Sequence, residues 1–148
     1  MRRRQPHKKS PNDRQNAVVQ RFGDDIMNDR QIFGAFLKEK RNERGYTLRV
    51  TADMLGIGYG YYSDLESGRR TPIELDFLSK IITALRLSDE DGKKLYDLAG
   101  KAREALPPDL TGYINETPKA RIALRVAKDT ATDDDWDKFK EYLEQKEK

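Results

Sequence analysis

At 148 residues, with 36% hydrophobic and 37% charged side chains, the chain has room for one domain or a small domain with an appendage, and only a modest core under helices with wide polar faces. Cysteine is absent, and the single histidine, His7, lies in a polar tail, so disulfides, thiolate metal sites and imidazole catalysis are excluded, and neither cofactor nor metal is expected. No apolar run is long enough to span a bilayer, and the basic start lacks the apolar core of a signal peptide, which predicts a cytoplasmic protein without membrane contact.

The net charge of +3 is unevenly placed: residues 1–50 carry 13 Lys+Arg against 6 Asp+Glu, residues 51–100 carry 6 against 9, and residues 101–148 carry 10 against 11. Positive charge concentrated at one end fits a polyanion partner, because neutralising phosphates drives sequence-independent affinity. Residues 1–16, MRRRQPHKKSPNDRQN, are polar, basic and proline-bearing and read as a disordered arm, which either tracks DNA or only solubilises the chain. Between Ala17 and Asp29, Val18, Val19, Phe22, Ile26 and Met27 stand at near-helical spacing and predict a short extra helix.

A helix is expected from about Arg30 to Arg44, with Ile32, Phe33, Phe36 and Leu37 on one face and Gly45 stopping it. Thr47 caps a second. Then Ala52 is small enough for two helices to cross closely, Leu55 and Ile57 pack on either side of a turn, and Gly56 can take the left-handed conformation that ends a helix. A third helix, about Tyr59 to Glu66, turns Tyr62 and Leu65 inward and leaves Tyr59, Gly60, Ser63 and Asp64 outward, where base edges would be. Serine serves several bases, and aspartate accepts from a cytosine amino group; Tyr59 suits a base or a phosphate, and Tyr61 the DNA backbone or the core.

Gly68 ends that helix, and Pro72 leads to a fourth with Leu75, Leu78, Ile81, Ile82 and Leu85 inward. Ser88 and Asp91 predict a capping box opening a fifth, which carries Leu95, Leu98 and Ala102 inward. Pro107 and Pro108 mark a boundary. Beyond it, Leu110 to Ile114 suggests a helical turn or two, Pro118 to Lys128 a helix, and Thr132 the cap of a last helix with Asp133, Asp134 and Asp135 in its first turn. Its stripe of Trp136, Phe139, Tyr142 and Leu143 is either core or a dimer contact. No β-strand is predicted.

The segment from about Ile32 to Leu87 resembles the Cro/C1-type (XRE) family of helix-turn-helix regulators, through LKEKRNERGYTL at Leu37 to Leu48, ADMLGI at Ala52 to Ile57, YYSDLESGRRTP at Tyr61 to Pro72 and LDFLSKIITALRL at Leu75 to Leu87. Glu66 and Gly68, followed by Arg69, Arg70 and Pro72, are its most specific part. The resemblance implies an all-α fold: a five-helix lambda-repressor-like DNA-binding domain over residues 17–106, with a short helical extension at 107–148 for oligomerisation or regulation. It also implies that Arg41 pairs with Glu66, and that Thr47, Arg49, Arg69, Arg70 and Thr71 contact phosphates. Three positions depart from the family: Thr51 where an apolar residue is usual, Gly58 in place of a Ser or Thr cap, and Gly60 inside the reading helix.

The function implied is a sequence-specific DNA-binding transcriptional regulator, with repression the expected direction. Its partners would be double-stranded DNA, a second copy of the chain and a regulatory protein acting through the extension. The alternative is an antitoxin or adaptor that binds another protein, with DNA secondary. An enzyme is not expected: self-cleaving repressors carry a serine-lysine peptidase domain, and the segment after Pro107 is short and has no serine.

Overall fold

The computed structural model describes residues 21–22, 25–71 and 74–148. The basic arm at 1–16 and Pro72 lie outside the described residues. Eight helices are described: α1 Asp29–Glu43, α2 Leu48–Leu55, α3 Tyr59–Ser67, α4 Leu75–Ala84, α5 Asp89–Ala102, α6 Pro108–Glu116, α7 Pro118–Thr130 and α8 Asp133–Lys146. The fold is all-α.

Of the segment expected to form a short extra helix, residues 17–20 lie outside the described residues, and 21–22 and 25–26 form instead two strands of two residues, β1 Arg21–Phe22 and β2 Asp25–Ile26, antiparallel with Arg21 opposite Ile26 and Phe22 opposite Asp25. The sequence between them is Gly-Asp, a dipeptide that favours a hairpin turn over helix continuation. Asn28 then fixes the start of α1 with a full capping box: its side chain accepts from the Gln31 amide at 2.9 Å, and Gln31 Oε1 accepts from the Asn28 amide at 3.0 Å.

Helices α1 to α5 share one core. Phe33, Leu37, Tyr62, Leu65, Ile81, Leu85, Leu95 and Ala99 are completely buried, with Phe36, Ala52, Leu55 and Leu78 close to it. Each such Leu, Ile or Phe contributes about 1.5–3 kcal/mol by leaving water. α1 lies against α3 and α5, α2 against α3 and α4, and α4 against α5. Leu75, expected inward, is 43% exposed, because it is the first residue of α4 and precedes the part of the helix that the core covers. The predicted box at α5 is half formed: Ser88 accepts from the Asp91 amide at 3.1 Å, while the Asp91 carboxylate pairs with Lys40 Nζ at 3.0 Å and so ties α5 to α1.

The chain divides into two units between Pro108 and Asp109. In the C-terminal unit each helix is well started or joined. Pro118 sits in the first turn of α7, Arg121 Nη1 donates to the carbonyls of Ile114 at 3.0 Å and Asn115 at 2.5 Å, and Thr132 and Asp135 form a capping box at α8. None of the three helices contains a buried residue. Trp136 and Phe139 meet edge to face at 6.2 Å, and both remain substantially exposed with Tyr142 and Leu143. Among the described residues no helix is long and apolar enough to cross a membrane.

Candidate nucleic-acid interface

Helix α3 is held from beneath by a charged clamp. Arg41, in the last turn of α1, donates from Nε to Glu66 Oε1 at 2.6 Å and from Nη2 to Oε2 at 3.1 Å, while its Nη1 donates to the Tyr46 carbonyl at 2.7 Å. Both side chains are at most a tenth exposed. The pair therefore joins two helices through a planar, two-pronged contact that resists rotation. The Glu66 hydrogen bond is the main reason the Arg41 pKa rises above its usual value. Beside it the Tyr62 hydroxyl is buried without a hydrogen bond, and burial first, then the Glu66 carboxylate, pushes its pKa well up.

Close approach of α1 to α3 depends on Gly34. A Cβ there would overlap the Glu66 carbonyl and stand 2.5 Å from the Leu65 carbonyl oxygen. Two helix backbones can cross at this distance only where one lacks a side chain. The third helix ends at Gly68 with φ +81°, a left-handed cap whose following amides, Arg69 and Arg70, donate back to the Asp64 carbonyl at 2.9 and 3.2 Å.

The turn between α2 and α3 is built as compactly. Thr47 accepts from the Val50 amide at 3.1 Å, and Thr51, fully buried, donates its hydroxyl to the Thr47 carbonyl at 2.9 Å, so a polar side chain sits in the apolar layer with its hydrogen bond satisfied. Gly56 takes φ +68° at the end of α2. Gly58 stands at the cap of α3 without any side-chain bond, leaving the first amides of α3 open on the exposed side.

The outward face of α3 carries Tyr59 and Gly60, both exposed, and Ser63 and Asp64, both half-buried. Gly60 faces open space. Around them stand the arginines: Arg49, at the second position of α2, lies 5.6 Å from the centre of the Tyr59 ring, and Arg70 lies 4.9 Å from that of Tyr61, which itself meets Phe77 edge to face at 6.2 Å. Tyr61, left open between DNA backbone and core, is half-buried and packs against the core, with Arg70 over its ring. Arg69 and Arg70 also face Asp64, at 3.8 and 3.4 Å. Thr71 follows, half-buried. The structure therefore brings Arg49 to Tyr59 and Arg69 and Arg70 to Asp64, while Arg41 and Glu66 are paired and largely buried.

Sequence reasoning overlooked several supports. Gly34 had a signal, an isolated glycine inside a helix of good formers. Arg44, the residue that caps the end of α1, donates to the carbonyls of Leu85 at 2.8 Å and Arg86 at 2.6 Å and satisfies the end of α4; only the fold brings positions 41 apart together. The contacts of Asp64 with Arg69 and Arg70 follow from the turn at Gly68, which folds the loop back over the last turn of the helix.

Residues 37–91 match the Helix-turn-helix family. The transcriptional regulator ClgR of Mycobacterium tuberculosis is 40% identical over 58 residues, covering 39% of this chain and 51% of ClgR. The HTH-type transcriptional regulator SinR of Bacillus subtilis is 31% identical over 71 residues, covering 45% of this chain and 64% of SinR. A crystal structure of the clp gene regulator ClgR from C. glutamicum is 30% identical over 49% of this chain and 90% of that one, with a TM-score of 0.41. The chain spans about half the length of the first of these curated relatives and under two thirds of the second.

Proposed function

From the match of residues 37–91 to the Helix-turn-helix family, together with the resemblance to Cro/C1-type regulators, we propose that this chain is a cytoplasmic, sequence-specific DNA-binding transcriptional regulator that acts as a repressor and a homodimer. The observation that carries it is the surface of α3: a helix fixed by Arg41 and Glu66, showing Tyr59, Gly60, Ser63 and Asp64 outward between Arg49 on one side and Arg69 and Arg70 on the other. α3 enters the major groove and reads base edges with those four residues, while Thr47, Arg49, Arg69, Arg70 and Thr71 position it on phosphates. No step in this role calls for catalysis. The two copies address half-sites about 34 Å apart.

Residues 107–148 supply the coupling between copies. Helices α7 and α8 expose Ile122, Val126, Trp136, Phe139, Tyr142 and Leu143, more apolar surface than so small a unit hides by itself. The same surface favours a second reading, an adaptor whose extension takes another protein.

Selection of bound sequences from random duplex DNA tests the proposal. A palindromic consensus is expected, and no enrichment would overturn it. Sedimentation tests the extension: residues 1–106 should remain monomeric where the full chain dimerises, and equal dimerisation of the two would place the contact in α1 to α5.

A further inference from the structure

Helix α3 contains no lysine or arginine, and its two charges, Asp64 and Glu66, are both negative. Glu66 is neutralised from beneath by Arg41. Asp64 stands on the outward face, and its neighbouring cations are the residues best placed for DNA phosphates: Arg69 Nη1 at 3.8 Å from Oδ1 and Arg70 Nε at 3.4 Å from Oδ2. The Asp64 carboxylate thus faces both guanidinium groups as an anion of their own chain.

We infer that Asp64 couples phosphate contact to base recognition: its carboxylate holds Arg69 and Arg70 in the free protein, and on DNA it gives them up to the backbone and requires a donor from a base instead. The inference rests on the DNA-binding reading above. Three features of the geometry support the exchange. Arg69 and Arg70 are 79% and 53% exposed and their pairs are long, so they are loosely held and readily traded for a phosphate oxygen. The loop does not move when they leave, because the amides of both arginines donate to the Asp64 carbonyl and Arg70 keeps its seat over Tyr61. Once they leave, α3 offers the carboxylate no cation of its own.

An unpaired carboxylate against a duplex is penalised by lost solvation and by phosphate repulsion. The amino group of a cytosine in the major groove relieves that penalty, since aspartate accepts from it. A duplex with guanine or thymine at that position, whose major-groove edges offer only acceptors, keeps the phosphate contacts and leaves Asp64 unsatisfied. Asp64 thereby makes non-specific binding poorer than the arginines alone would allow, and raises discrimination as much by rejection as by attraction.

The test measures the affinity of the full chain for its selected site and for a scrambled duplex, with D64N, the double variant R69A/R70A and the triple variant. D64N should bind the scrambled duplex more tightly and lower the ratio of specific to scrambled affinity roughly tenfold, the scale of one lost base contact, with cytosine preference relaxed at one position per half-site. In the R69A/R70A background the same change should raise scrambled binding by a smaller factor than in the native chain, because the cost of surrendering the arginines is gone and only phosphate repulsion and lost solvation remain. An equal gain on both duplexes that persists without the arginines would mean a general charge effect and overturn the coupling. A native chain that binds no duplex removes the DNA-binding reading itself, a different outcome from a binder whose discrimination ignores Asp64. Thermal melts followed by circular dichroism check that each variant is folded; Asn keeps the backbone carbonyl on which the loop amides rest.

Discussion

Helices α1 to α5 and helices α6 to α8 begin in the same way and end up in opposite states. Asn28 boxes α1 and Thr132 boxes α8, and both sets of helices carry apolar stripes at helical spacing. The first set interdigitates twelve apolar side chains into a buried core, whereas the second has no buried residue. Caps and patterning are thus sufficient for helices but not for a core, which also needs facing surfaces of matched size and a backbone approach that lets them meet.

The largest test of that contrast is truncation of one apolar side chain in each set. Leu95→Ala should cost about 2–5 kcal/mol in a denaturant titration followed by circular dichroism, because it opens a cavity among fully buried neighbours. Leu143→Ala, at a position 43% exposed, should cost less than about 0.5 kcal/mol at concentrations where the chain is monomeric. The single tryptophan, Trp136, lies in α8, so its fluorescence follows the second set alone. Equal losses would abolish the distinction between the two.

The clamp under α3 comes next. Arg41→Ala or Glu66→Ala alone should destabilise α1 to α5 by about 3 kcal/mol, since each leaves a poorly solvated charge without its partner. The double replacement should cost less than the sum of the two. Additive losses would show that the contact does not fix the helix.

Glycines sharpen the comparison at a smaller scale. Gly34→Ala forces a methyl group into the carbonyls of Leu65 and Glu66 and should cost about 1–3 kcal/mol, even though alanine is the better helix former. Gly112→Ala in α6 meets open space and should stabilise that helix by about 1 kcal/mol. Opposite signs in chemical denaturation are the expected result, and a gain at Gly34 would refute the close crossing.

Acid gives the smallest effect. Hydrogen bonding to Lys40 holds the Asp91 pKa below its ordinary value, and the Thr132 amide does the same for Asp135. A lowered folded pKa means that each contribution is complete above the unfolded value of about 3.9 and is lost as pH falls through the folded one. Asp91→Asn should therefore reduce the acid sensitivity of α1 to α5 without altering that of the Trp136 signal, and Asp135→Asn should do the reverse. Either change acting on both signals would show that the two sets unfold together.

Much of this was legible without coordinates. The spacing of Phe33, Phe36 and Leu37, the turn at Gly56, the inward Tyr62 and Leu65 and the left-handed stop at Gly68 are local consequences of a 3.6-residue period and of backbone freedom, and both are written in residue order. Residues 21–22 and 25–26 form strands although the apolar residues around them satisfy a helical period, because the Gly-Asp pair between them in the sequence favours a turn. Leu75 was misread because periodicity says which face a residue takes and says nothing of how far along a helix its neighbours extend.

By itself, then, the sequence determined the helices, their ends, the residues turned inward on α3 and the match of residues 37–91 to the Helix-turn-helix family. The tertiary structure decided what lies behind and beside α3: Gly34 under its last turn, Arg44 on the carbonyls that end α4, and Lys40 taking Asp91 from its own cap. The physical reason is distance along the chain. Hydrogen bonds and steric limits within a few residues are fixed by local identity, but contacts across 32, 41 and 51 positions exist only once a shared core has brought their helices together.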